Sequence, residues 1–196
     1  MSPIPRHLLP ETATVLSDGA LAIGGVRLTD LAAEYGTPLF VYDEQHLRHR
    51  CREAVDAFGP DHVVYATKAF LCKAMARLAH EEGLLLDVAT GGELYVALSA
   101  GVPADRCVLH GNNKSLDELR MAITAGVRHI NVDSFDELDR LDVLRAEGLP
   151  VPKVQLRITP GVHAHTHHFI ATGQDDSKFG FNLNNGDAAR AVGRAM

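Results

Sequence analysis

The sequence predicts an α/β fold: an incomplete (β/α)8 TIM-like barrel over residues 37–196, preceded over 1–36 by an N-terminal extension and a β-hairpin. Three observations carry this expectation. From residue 63 onward, short apolar runs alternate with helical patterns at steps of about 20–25 residues. Capping boxes of the form S/T-x-x-E recur at Thr90 with Glu93, Ser115 with Glu118, and Ser134 with Glu137, each just after an apolar run. Five successive runs also end on a polar or charged residue: Lys68, Asp87, His110, Asp133 and Arg157. In a barrel those strand ends converge on one face, whereas an open sheet would string them along an edge. Convergence makes better use of five such residues.

Taken in order, residues 1–12 are Pro-rich and expected to be extended or poorly ordered. Asp18-Gly19 between two apolar runs is a hairpin signal, and Gly24-Gly25 marks a second turn. Residues 29–35 read as a short helix stopped by Gly36, and 38–42 as a short strand. Asp43 is placed to cap a longer helix, with Leu47, Cys51, Ala54, Val55 and Phe58 on one apolar face. The repeating part then predicts strands at 63–66, 84–88, 107–109, 129–132 and 154–158. The helices between them close on Gly83, Gly101, Gly126 and Gly148, as left-handed C-caps require. A further short strand is expected at 179–182, and 186–196 reads as a helix in progress.

Composition excludes several classes. The 196 residues carry 19 Lys and Arg against 25 Asp and Glu, a net charge of -6, which gives nucleic acid no basic patch to bind. No apolar run is long enough to span a bilayer, and no secretory signal opens the chain, so a cytoplasmic setting without a membrane partner is expected. Cys51, Cys72 and Cys107 are odd in number and far apart, which suits core filling better than disulfides or a zinc site. The turn after residue 66 has no glycine, residues 89–93 lack GxGxxG spacing, and no P-loop occurs.

Among chemistry-bearing residues Lys68 comes first. A strand-end lysine can simply snorkel to water. Buried at the end of a strand, it would instead be a neutral amine able to attack an aldehyde, the requirement of pyridoxal 5'-phosphate. Asp87 and Arg157 can be structural ion partners or site residues, and His110 either lines a site or belongs to a polar loop with Asn112, Asn113 and Lys114. The histidines at 163, 165, 167 and 168 lack zinc-like partners, so no metal is expected. Residues 177–180 read as a loop entering a strand.

The run Tyr65-Ala66-Thr67-Lys68-Ala69-Phe70, followed by Met75-Ala76, Ala79 and Gly83, resembles the pyridoxal-attachment signature of the ornithine/diaminopimelate/arginine decarboxylase family. Residues 87–94 and 110–115 are similar to the same family, and 157–181 resemble its diaminopimelate-acting branch. The resemblance implies a PLP-binding barrel with Lys68 attaching pyridoxal phosphate, and Asp87, His110 and Arg157 near the cofactor. It implies decarboxylation of meso-2,6-diaminopimelate to L-lysine and CO2, with a small amino-acid substrate and a homodimer for the full-length enzyme. It also implies that the hairpin joins a second β domain, and that a Gly-rich phosphate loop and the substrate-reaching residues lie beyond Phe181. The chain is thus expected to be an N-terminal portion. Open alternatives are an inactive fragment, a pyridoxal-binding homologue without activity, or a racemase of similar barrel.

Overall fold

A computed structural model describes residues 4–162 and 179–196. The histidines at 163–168 and the Ser177-Lys178 pair lie outside the described residues. The chain divides into two compact units, Met1–Val63 and Val64–Met196.

In the first unit the expected hairpin is present. Strand β1 (Thr14–Val15) pairs antiparallel with β2 (Leu21–Ile23), and β2 with β3 (Val26–Arg27). At the first turn Gly19 takes a positive φ, and Asp18 accepts from the Ala20 amide at 3.2 Å and pairs with Arg27 at 2.5 Å. Helix α1 (Leu28–Tyr35) ends at Gly36, and α2 (Glu44–Phe58) is capped by Asp43, which accepts from the His46 amide at 3.2 Å.

Three expectations are corrected here. The Pro-rich start is not extended throughout. It contains a 3-10 turn at Arg6–Leu8, where the Arg6 guanidinium donates to the carbonyls of Pro10 and Glu11 at 2.7 and 2.8 Å. Residues 38–42 run outside any sheet, with Phe40 88% exposed. β-Propensity reflects fit to a paired, half-buried surface, and this segment lies on none. On α2, Cys51 is buried but Phe58 is 71% exposed, so the apolar stripe stops short of the last turn.

The second unit builds a parallel sheet in the order β4 (Val64–Ala66), β5 (Leu85–Val88), β6 (Cys107–Leu109), β7 (His129–Val132), β8 (Val154–Leu156). Helices α3 (Lys73–Glu81), α4 (Gly91–Ser99), α5 (Leu116–Ala125) and α6 (Phe135–Ala146) connect successive strands. Beyond β8, β9 (Ile158–Thr159) pairs in parallel with β10 (Phe181–Asn182), and α7 (Asp187–Ala195) follows. Arg157 joins the two ladders. Its amide donates to the Val132 carbonyl at 2.9 Å, and its own carbonyl accepts from the Phe181 amide at 2.8 Å. The result is six parallel strand steps among the described residues, an incomplete (β/α)8 barrel.

Register assigns each side chain to a face. Ala66, Asp87, Val108 and His129 are level with one another across four strands. The residues that alternate with them, Leu86, Val88, Cys107, Leu109, Ile130 and Val132, are fully buried with Leu94, Leu119 and Leu144 of the helices. Burial of each such aliphatic side chain contributes about 1.5–3 kcal/mol. On the other face Leu85 and Val108 are buried, as are Asp133 and Thr159 near the strand ends. Around them Asp87, His129, Asn131 and Arg157 are half-buried, and Gln155 is exposed. Cys107 fills the core, where burial pushes its thiol pKa up to about 11; Cys72, by contrast, is exposed just ahead of α3.

The helix starts are laced to one another. Thr90 and Ser115 form complete capping boxes with Glu93 and Glu118. Glu118 does more than cap. One oxygen accepts from the Ser115 amide and the other from the Gly91 amide at the start of α4, both at 2.9 Å. These bonds, the Gly91 amide foremost, hold its pKa below the usual carboxylate value. A carboxylate with a lowered folded-state pKa adds stability that is full above the unfolded value and disappears as pH falls through the folded value. Glu118→Gln is therefore expected to lower stability at neutral pH and to flatten the acid limb of a stability-against-pH curve below about pH 4.5, as measured by urea unfolding at a series of pH values.

The loop after β6 passes close to the segment after β5. A Cβ at Gly111 would sit 2.7 Å from the Ala89 carbonyl oxygen, and φ there is +98°. Gly111→Ala is expected to destabilise the chain by roughly 1–3 kcal/mol, read as a lowered urea midpoint with an unchanged slope.

Candidate active site

The polar strand ends make the site. Lys68 lies in a 3-10 turn, Thr67–Ala69, just after β4. Two side chains staple that turn. The Tyr65 hydroxyl donates to the Phe70 carbonyl at 2.6 Å, and the buried Thr67 hydroxyl donates to the Asp87 carbonyl at 2.8 Å. Of the two readings, snorkelling to water or burial, the structure shows an exposed lysine after β4, the edge strand of its sheet. What holds Lys68 is therefore the stapled backbone and not a closed apolar pocket.

Asp87 and His110 are brought together. Asp87 Oδ2 and His110 Nδ1 stand 3.3 Å apart, both partly exposed, so a proton on that ring nitrogen is shared with the carboxylate. Asp87 Oδ1 is buried with no hydrogen-bond donor among the described residues. An acceptor left in that state is costly unless a ligand or a moving side chain supplies the proton.

Arg157 reads from sequence as a structural ion partner or a site residue, with no partner assigned. It pairs with Asp133 of the neighbouring strand end: Nη1 donates to Asp133 Oδ1 at 3.0 Å, and the guanidinium lies 4.4 Å from the centre of the Phe179 ring. Asp133 is buried, and its Oδ2 accepts from the Gly180 amide at 3.1 Å. Gly180 is required there, since a Cβ would meet the Arg157 carbonyl oxygen at 2.7 Å and φ is +73°.

Lys114 and Glu137 belong to the same set and were read from sequence only as a loop residue and a capping glutamate. Both are almost fully buried and form an ion pair at 2.7 Å. Desolvation raises the Glu137 pKa, and Lys114 opposes the shift. Glu137 Oε2 accepts from the Asp133 amide at 3.1 Å, so the third capping box is only half made: Ser134 accepts from the Glu137 amide, but the glutamate turns inward. The signal in the sequence was Asp133 standing directly before Ser134, which gives this box an acidic neighbour that the other two lack.

These residues fit a pyridoxal group on three counts. Lys68 presents a primary amine, Arg157 a fixed cation, and Asp87 Oδ1 an acceptor awaiting a donor. The phosphate is a separate matter. Helix N-termini favour anions, but carboxylates already occupy those of α4, α5 and α6 through Glu93, Glu118 and Glu137. Among the described residues, no group of three or more His, Cys, Asp or Glu is arranged to hold a metal ion, and no helix is long and apolar enough to cross a membrane.

Known proteins share this arrangement. Residues 44–196 match the family model described as the pyridoxal binding domain of pyridoxal-dependent decarboxylases. The diaminopimelate decarboxylase of Mycobacterium tuberculosis is 54% identical over 191 residues, covering 97% of this chain and 43% of that protein. That of Bacillus subtilis is 52% identical over 182 residues, covering 91% and 42%. A crystal structure of the M. jannaschii diaminopimelate decarboxylase in complex with L-lysine superposes with a TM-score of 0.80 at 34% identity, over 94% of this chain and 44% of that one. The chain thus spans less than half the length of the relatives it matches. An amine on a stapled strand-end turn, a cation fixed at another strand end and a family match over most of the chain lead to one conclusion: this chain belongs to the pyridoxal-dependent decarboxylase family and carries its pyridoxal-binding domain.

Proposed function

We propose that the chain forms the pyridoxal-attaching part of a diaminopimelate decarboxylase, and that the whole protein converts meso-2,6-diaminopimelate to L-lysine and CO2. The observation that supports the reading is Lys68 in its stapled turn at the end of β4, tied through Thr67 to the backbone of Asp87 on the neighbouring strand, whose carboxylate stands beside His110. In this reading 37–196 is the pyridoxal-binding part, and the hairpin sheet belongs with a second β domain of the whole protein, which works in the cytoplasm as a homodimer.

Lys68 Nζ would hold pyridoxal 5'-phosphate through its aldehyde carbon. When bound, the cofactor supplies an electron sink for the pair left as CO2 departs. The chain's own residues set the surroundings. Arg157, fixed by Asp133 and Phe179, places positive charge where ring oxygen or carboxylate charge gathers. Asp87 Oδ1 takes a donor from Lys68 or from the ligand, while Asp87 Oδ2 stays within hydrogen-bond reach of His110 Nδ1. The phosphate is gripped by groups other than the N-termini of α4, α5 and α6, where carboxylates repel it.

Two measurements test this. Incubation with pyridoxal phosphate followed by borohydride reduction is expected to add a pyridoxyl group at Lys68, mapped by peptide mass spectrometry, and Lys68→Ala should abolish that label. Labelling spread over other lysines would sink the attachment. With the full-length protein, CO2 release is expected from meso-diaminopimelate in preference to ornithine or arginine; equal release from all three would remove the substrate assignment.

A further inference from the structure

The ion pair beneath the site has no part in the reaction as proposed so far. Lys114 is 1% exposed; its ammonium donates to the Gly111 carbonyl at 2.5 Å and the Asn131 carbonyl at 2.8 Å, and stands 2.7 Å from Glu137 Oε1 as an ion pair. The other oxygen of Glu137 accepts from the amide of Asp133, and the Asp133 carboxylate in turn divides between the Arg157 guanidinium and the Gly180 amide. An ion pair and two hydrogen bonds, meeting at the backbone and the carboxylate of Asp133, thus link Lys114 to Arg157.

Stability alone is a weak reason for such a pair, because replacing both members with apolar residues of similar volume is often neutral or favourable. Capping alone is also a weak reason. Glu93 and Glu118 cap their helices from the surface through their own N-cap amides, whereas Glu137 has given up that bond and become buried.

We propose that Lys114 and Glu137 are positioning residues for Arg157: they fix the backbone and carboxylate of Asp133, and Asp133 fixes the guanidinium on the strand-end face. Arg157's service to pyridoxal rests on the reading above; its fixation does not, and the test separates the two.

The test uses the 196-residue chain without cofactor, comparing wild type, Asp133→Asn and the double variant Lys114→Met with Glu137→Leu, which leaves neither charge buried alone. The rate of phenylglyoxal modification at Arg157 is followed by peptide mass spectrometry. Arg120, which pairs with Asp117 and Glu147 on the surface, is the internal reference. With its charge-assisted bonds loosened, Arg157 is expected to react about threefold faster or more in the double variant, approaching Asp133→Asn, with Arg120 unchanged and a cooperative melt retained. An Arg157 rate equal to wild type in the folded double variant overturns the proposal. If the double variant does not melt cooperatively, Glu137→Gln is judged by the same criterion, and failure of both to fold assigns the pair to stability and overturns positioning. Faster Arg157 modification together with absent Lys68 labelling would leave the positioning role standing and remove the pyridoxal reading.

Discussion

Period-two alternation along parallel strands is the constraint on which the rest of the second unit depends. With Leu86, Val88, Cys107, Leu109, Ile130 and Val132 buried on one side, the residues between them have no choice of face. Asp87, His129, Asn131 and Arg157 therefore share the other face, and the polar strand ends form a row instead of a scatter. A slip of one residue in any strand would bury its polar set against the helices.

A polar row at strand ends needs its charges held. Two arrangements share that work. On the Lys68 side, neutral hydroxyls tie backbone to backbone, through Tyr65 to Phe70 and Thr67 to Asp87, and the lysine itself stays free in solvent. On the Arg157 side, ions hold ions. A buried pair such as Lys114 and Glu137 makes loss of one partner cost about 3–5 kcal/mol, since the other charge is left in a poor medium. The raised Glu137 pKa marks that desolvation. One side leaves its charged group exposed to solvent, and the other ties it to a buried carboxylate.

Most of the parallel architecture was legible, because capping boxes, closing glycines and apolar runs all report local chain conformation. The five strand ends were legible for the same reason. What could not be read was pairing across the fold. Residues 38–42 have strand composition, but composition does not supply a neighbour. Arg157 lies far in sequence from both Asp87 and Asp133, and no spacing rule says which carboxylate it meets. Glu137 satisfied a capping pattern that two similar glutamates obey, and only the position of Lys114 turned it inward. Whether Lys68 is buried or reaches water depends on what lies beside β4, and that strand forms the edge of the sheet.

Asp133 and Gly180 are 47 positions apart, yet one carboxylate binds the Gly180 amide and the Arg157 guanidinium together. Arg157 also carries the backbone bonds that join β8 to β7 and β9 to β10. Synthesis from the N-terminus therefore delivers Asp133 and Arg157 well before the segment that completes their arrangement. Until Gly180 and Phe181 arrive, the nascent sheet ends in an open ladder and the carboxylate is half satisfied. Pairing of β10 with β9 is then the step at which the sheet extends past β8 and the Asp133 carboxylate gains its second partner.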